Sequence, residues 1–284
     1  MNTRSECKHV KAPRRPVQWL SLLAVVFTLA SAGQGVQARE GVDVGGNSVL
    51  AQLVPAENVE RSAAQQYVQM LSQADAKQAL ASKDNAEVIR LRAIASRIIP
   101  FALEWNPRAR SWQWEVNLIG SSQINAFCMP GGKIAFYSGI LQQLRLTDDE
   151  VAMVMGHEIA HALREHARER MAKNAATGLG ANLVSQFFGF GQIGQTLTNY
   201  GAQLLTLEFS REDESEADLV GMELAARAGF DPRAGVSLWQ KMGAASKGAP
   251  PQWLSTHPAG TRRIADIEFN LPKVMPLYER ARVR

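Results

Sequence analysis

Residues 147–166 read TDDEVAMVMGHEIAHALREH, and this stretch decides the fold. Thr147 and Glu150 make a T-x-x-E capping box that opens a helix. No proline interrupts the pattern before about Ala172, so the spacing predicts one long helix to that point. Val151, Met155, Ile159 and Leu163 recur at helical spacing and coat one side, which predicts a buried central helix. On that helix His157 and His161 stand about 40° apart around the axis, so their ring nitrogens reach one metal ion from one face. Glu158 is turned by about 100°, which sets its carboxylate beside the ion, where it can take a proton from an activated water and pass it to a leaving amine. His166, further along the same predicted helix, faces away from this pair and takes a structural or surface role.

Two imidazoles leave a metal site incomplete. Downstream, Ser210 caps a second helix that ends near Gly229, with Phe230-Asp231-Pro232 as the stop. Glu214 and Asp218 face the same way on it, and Ala217, Gly221, Ala225 and Ala228 keep that face small. The helix can therefore approach the His157 helix closely enough for Glu214 to supply a third ligand. Asp218 is placed to accept an N–H from a ligand imidazole and fix its tautomer. Glu212 and Glu216 lie off this stripe.

Upstream, helical periodicity marks residues 61–78 and 85–103, with Pro100 kinking or ending the second. Trp112, Trp114, Val116 and Leu118 alternate as a half-buried strand, and residues 123–129 and 133–138 flank the turn Pro130-Gly131-Gly132. A small antiparallel sheet is expected there. Residues 174–207 are rich in Gly, Gln, Asn and Phe, and composition fits either a hinged lid or a plain connection.

The N-terminus has the pattern of an export signal. Arg4, Lys8, Lys11, Arg14 and Arg15 form a basic region, residues 19–32 an apolar run, and Val36-Gln37-Ala38 a small-residue cleavage site ahead of Arg39. The run is shorter than the roughly 20 residues a membrane helix needs. The expected division is a signal peptide over 1–38, an N-terminal arm over 39–60 and a folded domain over 61–284. The formal charge of +4 lies entirely in residues 1–38, so the exported chain is neutral; with no basic run among aromatics after Arg15, nucleic acid is excluded as a partner. Cys7 leaves with the signal, which leaves Cys128 as a buried thiol and rules out an internal disulfide.

The chain resembles the gluzincin metallopeptidases of the CaaX prenyl protease and HtpX-like type, especially their exported single-domain bacterial members. The resemblance runs through Asn125-Ala126-Phe127, Pro130-Gly131-Gly132-Lys133, the HEIAH helix with His166, Ser210-Arg211, Glu214-Ser215-Glu216-Ala217-Asp218, Gly229-Phe230-Asp231-Pro232, and Thr256-His257-Pro258 with Arg263-Ile264. It implies an α+β, mainly helical gluzincin domain with a small antiparallel sheet packed on the HExxH helix. One Zn2+ per chain would be held by His157, His161 and Glu214, with Glu158 as general base and Asp218 supporting a ligand histidine. Asn125, Ala126, Phe127 and Cys128 would form the edge strand that pairs with an extended substrate, giving broad specificity. His257 either steadies the oxyanion, assisted by Arg263, or occupies the open zinc position and keeps the enzyme latent.

The resulting expectation is a periplasmic zinc endopeptidase that hydrolyses peptide bonds of unfolded or damaged envelope proteins with zinc-activated water, the quality-control role resting on resemblance alone. The chain after His257 leaves no room for a helical-repeat domain or further membrane spans. Two other readings remain open: a chaperone or adaptor that binds unfolded proteins on the edge strand, and a non-enzymatic membrane-surface module acting through residues 187–190; peripheral membrane contact of the enzyme itself is a further expectation.

Overall fold

A computed structural model describes residues 39–176, 207–246, 251–257 and 262–283. The expected signal peptide, the Gly- and Phe-rich segment over 177–206 and Pro258 lie outside them. The described residues from Arg39 onward belong to one compact unit; the mainly helical make-up with a small sheet is the expected one.

Helix α1 (Ala56–Ala76) begins earlier than the periodicity marks it, because Pro55 sets its N-terminus and Val59 already faces the core. Helix α2 (Ala86–Ile98) is capped by the Asn85 side chain, and the chain tightens at Pro100 into a 3-10 turn over Ile99–Glu104. Strands β1 (Glu115–Ile119), β2 (Ala126–Met129) and β3 (Lys133–Tyr137) follow, then α3 (Ser138–Leu144).

The sheet corrects the antiparallel expectation. Its order is β1-β3-β2, with β2 and β3 antiparallel across the Pro130-Gly131-Gly132 turn but β1 and β3 parallel. The chain leaves β1 and crosses to the far side before making the hairpin, so β3 returns between the two in β1's direction. Ile134, Ala135 and Phe136 on β3 are accordingly buried on both faces, as a central strand requires. Gly131 and Gly132 turn the hairpin at φ of 85° and 78°, and a Cβ on Gly132 would stand 2.7 Å from the Trp114 ring.

Helix α4 (Asp148–Leu163) opens with both halves of the Thr147–Glu150 capping box in place and is buried from Glu150 to its end. The expected continuous helix breaks there. Arg164 and Glu165 form a turn, Glu165 sits at φ 60°, and α5 (His166–Ala176) starts afresh. The amides of Asn47 and Asn106 donate to the Leu163 carbonyl at 3.2 and 2.9 Å, capping the broken end with side chains remote in sequence.

Helix α6 (Arg211–Arg227) is opened by a Ser210–Asp213 capping box and closed at Gly229, φ 78°. It crosses α4 glycine to glycine: a Cβ on Gly156 would stand 2.6 Å from the Gly221 carbonyl oxygen, and one on Gly221 would stand 2.5 Å from the His157 nitrogen. The small face expected of α6 is thus what lets the two helices meet. Helix α7 (Ala234–Ala245), a short turn over Trp253–Thr256 and α8 (Arg263–Arg282) complete the domain. Among the described residues no helix is long and apolar enough to cross a membrane.

Candidate metal centre

The glycine crossing sets Glu214 and Asp218 of α6 against His157 and His161 of α4, and all four side chains are buried. His257, at the end of the 253–256 turn, enters from a third direction. One ligating atom each from His157, His161, Glu214 and His257 lies within 4.8 Å of the others, the one such buried cluster among the described residues. His161 Nε2 is 3.0 Å from His157 Nε2 and 3.4 Å from Glu214 Oε1. His257 Nδ1 is 3.3 Å from His157 Nε2 and 2.9 Å from Glu214 Oε1, and His157 Nε2 is 3.6 Å from Glu214 Oε2. Donors bound tetrahedrally at about 2.0–2.1 Å stand about 3.3–3.4 Å apart, so the cluster has the dimensions of a four-coordinate site. The donor set of imidazoles and one carboxylate could hold a divalent metal.

Two carboxyls of this site, Glu214 and Asp218, are held low. Burial works to raise the Glu214 carboxyl, but the His257, His161 and His157 side chains beside it hold it well below the usual range. Asp218 is likewise held low: burial opposes its charge, and the Arg263 guanidinium with the His157 hydrogen bond prevails. Burial pushes His161 well below the ordinary imidazole value, which suits a neutral ligand. Burial also pushes His257 down, but the charges of Glu158 and Glu214 outweigh it and raise the imidazole.

Asp218 Oδ1 is 3.0 Å from His157 Nδ1, the contact expected of it, which leaves His157 Nε2 for the cluster. Arg263 does not face open space beside the cluster. Its guanidinium donates to Asp218 through Nε and Nη2 at 2.6 and 2.7 Å and to Glu214 through Nη1 at 2.5 Å, and it lies 3.7 Å above the Trp239 ring.

Glu158 sits beside the cluster as the helix geometry requires. Its Oε1 accepts the Trp253 indole N–H at 2.6 Å and is 3.6 Å from His257 Nε2. Trp253 stacks on His257 at 4.9 Å, and its backbone N–H donates to the Ile124 carbonyl at the entrance to β2. Phe209 stacks on His161 at 4.0 Å. Neither aromatic was anticipated. For Trp253 a signal existed, since it stands one helical turn before His257; for Phe209 there was none.

Ala126, Phe127 and Cys128 lie in β2, an edge strand, and Asn125 precedes it, its carbonyl accepting from the Tyr137 N–H. The strand packs against α4, and burial pushes the Cys128 thiol well up, with the Glu158 charge adding to this. His166 corrects the expectation that it faces away. The break after α4 turns it back, buried, to bring its Nδ1 within 2.9 Å of His161 Nδ1.

The chain is similar to several proteases. It is 38% identical over 150 residues to the mitochondrial metalloendopeptidase OMA1 of Arabidopsis thaliana, covering 53% of this chain and 30% of that one. The Schizosaccharomyces pombe protein of the same name is 38% identical over 164 residues, 57% and 48% of the two chains. The beta-barrel assembly-enhancing protease of Yersinia pestis is 33% identical over 171 residues, 56% and 35%. The alignments span from under a third to about half the length of these relatives. The profile of peptidase family M48 matches residues 85–270, from the cap of α2 into α8, taking in the sheet and every member of the buried His and Glu cluster. On that match the chain belongs to peptidase family M48.

Proposed function

We propose that the chain is an exported zinc metalloendopeptidase of the bacterial cell envelope that cleaves unfolded or damaged envelope proteins. The observation that carries this reading is the convergence of His157, His161 and Glu214 at tetrahedral spacing with the Glu158 carboxylate beside them. When bound, one zinc ion supplies Lewis acidity that activates water and polarises the substrate carbonyl.

In this reading His157, His161 and Glu214 hold the ion. Trp253 holds the Glu158 carboxylate through Oε1, and in this reading Glu158 takes the proton of the attacking water and returns it to the leaving amine. Asp218 keeps the His157 proton on Nδ1. Arg263 acts through Glu214 and Asp218, locking both carboxylates in place. The edge of β2 at Asn125 to Cys128 receives the substrate as an added strand, through main-chain hydrogen bonds that tolerate many sequences.

For His257 the reading of a latent fourth ligand is favoured over oxyanion stabilisation, because its Nδ1 lies at ligand spacing from both His157 and Glu214. X-ray absorption on the zinc-loaded chain separates the two: three imidazoles support latency, and two with a light oxygen donor overturn it.

Export to the periplasm is supported by the pattern of residues 1–38. Peripheral membrane contact would run through residues 187–190, outside the described residues.

The experiment is zinc stoichiometry on the purified chain together with casein cleavage by wild type and Glu158→Gln. About one zinc per chain, with cleavage lost in Glu158→Gln or with a chelator, supports the proposal. A chain that takes up no zinc sinks it. Cellular function retained by Glu158→Gln would favour the chaperone or adaptor reading instead.

A further inference from the structure

The two histidines of the HExxH helix are supported differently. His157 Nδ1 faces a carboxylate, Asp218, at 3.0 Å. His161 Nδ1 faces another imidazole, His166 Nδ1, at 2.9 Å. Beyond His166, its Nε2 is 3.6 Å from Glu216 Oε2, and the Arg164 guanidinium pairs with the other oxygen of that carboxylate. His166 is 1% exposed, and its Nε2 makes no hydrogen bond among the described residues, the Glu216 carboxylate at 3.6 Å being its charged neighbour.

Two Nδ1 atoms at hydrogen-bonding distance must share one proton. If His161 presents an Nε2 lone pair to a metal, its neutral ring carries the proton on Nδ1 and donates to His166 Nδ1. The proton of His166 is then on Nε2, the nitrogen nearer the Glu216 carboxylate. In the opposite arrangement His161 carries its proton on Nε2, aimed at His157 Nε2 only 3.0 Å away, which blocks ligation. Only the first arrangement suits both the metal and the partly buried Glu216 carboxylate.

We propose that His166, anchored by Glu216, is a positioning residue that fixes His161 as an Nε2 ligand, a neutral imidazole relaying to His161 what Asp218 does directly for His157. This rests on the zinc reading above. The break at Arg164–Glu165 is what makes it available: on a continuous helix His166 would point elsewhere. Phe209, stacked on His161 and 6.2 Å from His166, closes the pair off from one side.

The test is zinc affinity of the full chain by chelator competition, for wild type, His166→Ala, His166→Gln, Glu216→Ala and the double alanine variant. Loss of such a partner weakens metal binding by about 10- to 100-fold, the result expected for His166→Ala. His166→Gln should restore affinity to within a few-fold, because its side-chain oxygen can accept from His161 Nδ1 while its amide donates to Glu216. Glu216→Ala should lose less than His166→Ala, and the double variant no more, since Glu216 acts through His166. Melting of the metal-free forms checks folding.

Wild-type affinity in His166→Ala overturns the relay, as does a glutamine variant no better than alanine. If His166→Ala does not fold, Glu216→Ala decides: reduced affinity supports the relay and wild-type affinity overturns it. A wild type that binds no zinc removes the metallopeptidase reading and the relay together, whereas the other adverse outcomes remove the relay alone.

Discussion

Helix α6 buries a glutamate near each end, and the two do different things. Glu214 and Glu223 are about equally inaccessible, at 1% and 0% exposure. Glu223 is surrounded by fixed donors: the Arg39 guanidinium through both terminal nitrogens, Arg227 Nε at 2.7 Å and the Val42 backbone N–H at 2.8 Å. Even Gly41 is fitted to it, since a Cβ there would stand 2.1 Å from a Glu223 oxygen. Glu214 instead has one Arg263 contact and three imidazoles whose ring nitrogens cluster with it, one ligating atom of each within 4.8 Å of the others. Burial alone therefore does not mark a functional carboxylate. What marks it is a set of neighbours that can accept a cation rather than supply one.

The largest expected break in this comparison is Glu214→Gln. It should abolish zinc uptake and lower casein cleavage by at least about 10³-fold, and the melting temperature should no longer rise with added zinc. Glu223→Gln should do the reverse: a lower melting temperature, with the zinc-dependent rise retained. Equal zinc responses in the two variants would show that both ends of α6 serve the same purpose.

Gly221→Ala attacks the point that positions both ends. The added Cβ meets backbone atoms of Gly156 and His157, which cannot move aside as a side-chain tip could. A cost of about 1–3 kcal/mol in denaturant unfolding is expected, with weaker zinc binding, because Glu214 is carried away from the histidines. Arg39→Ala sharpens the contrast from the other end. It leaves Glu223 to Arg227 and one backbone N–H, at an expected cost of about 1–3 kcal/mol and with zinc stoichiometry unchanged.

The smallest effect concerns a third buried acid, Glu150, at the start of α4. Burial works to raise its carboxyl, but Lys241, the Thr147 backbone N–H and Ser237 hold it below the ordinary 4.5. Because the folded value lies below the unfolded one, its contribution is complete above about pH 4.5 and is lost as pH falls through the folded value. Lys241→Met should cost about 1 kcal/mol at neutral pH and flatten the acid limb of a stability profile measured by urea unfolding.

Much of this arrangement was legible in the chain. The capping boxes at Thr147 and Ser210, the four-residue spacing of His157 and His161 and of Glu214 and Asp218, and the small face of α6 are local properties that follow from helix geometry. They suffice to propose a zinc site and to name its residues. The parallel pairing of β1 with β3 was not legible, because alternation reports which residues face the core and not which way a neighbouring strand runs. Phe209 carried no spacing that tied it to His161, and for Trp253 the only local signal was its place one helical turn before His257.

His166 marks the boundary most clearly. Nothing in the HALREHARER stretch forbids a continuous helix; the break after Leu163 is held by Asn47 and Asn106, more than fifty residues away in the chain. The sequence by itself determined the periodic features: which helices form, where they start, and which side chains share a face, because these depend on neighbours a few residues apart. Only the tertiary structure decided where the central helix stops, which strand lies in the middle, and what stands behind each metal-facing imidazole. Those outcomes depend on hydrogen bonds and contacts between segments whose separation along the chain carries no local trace.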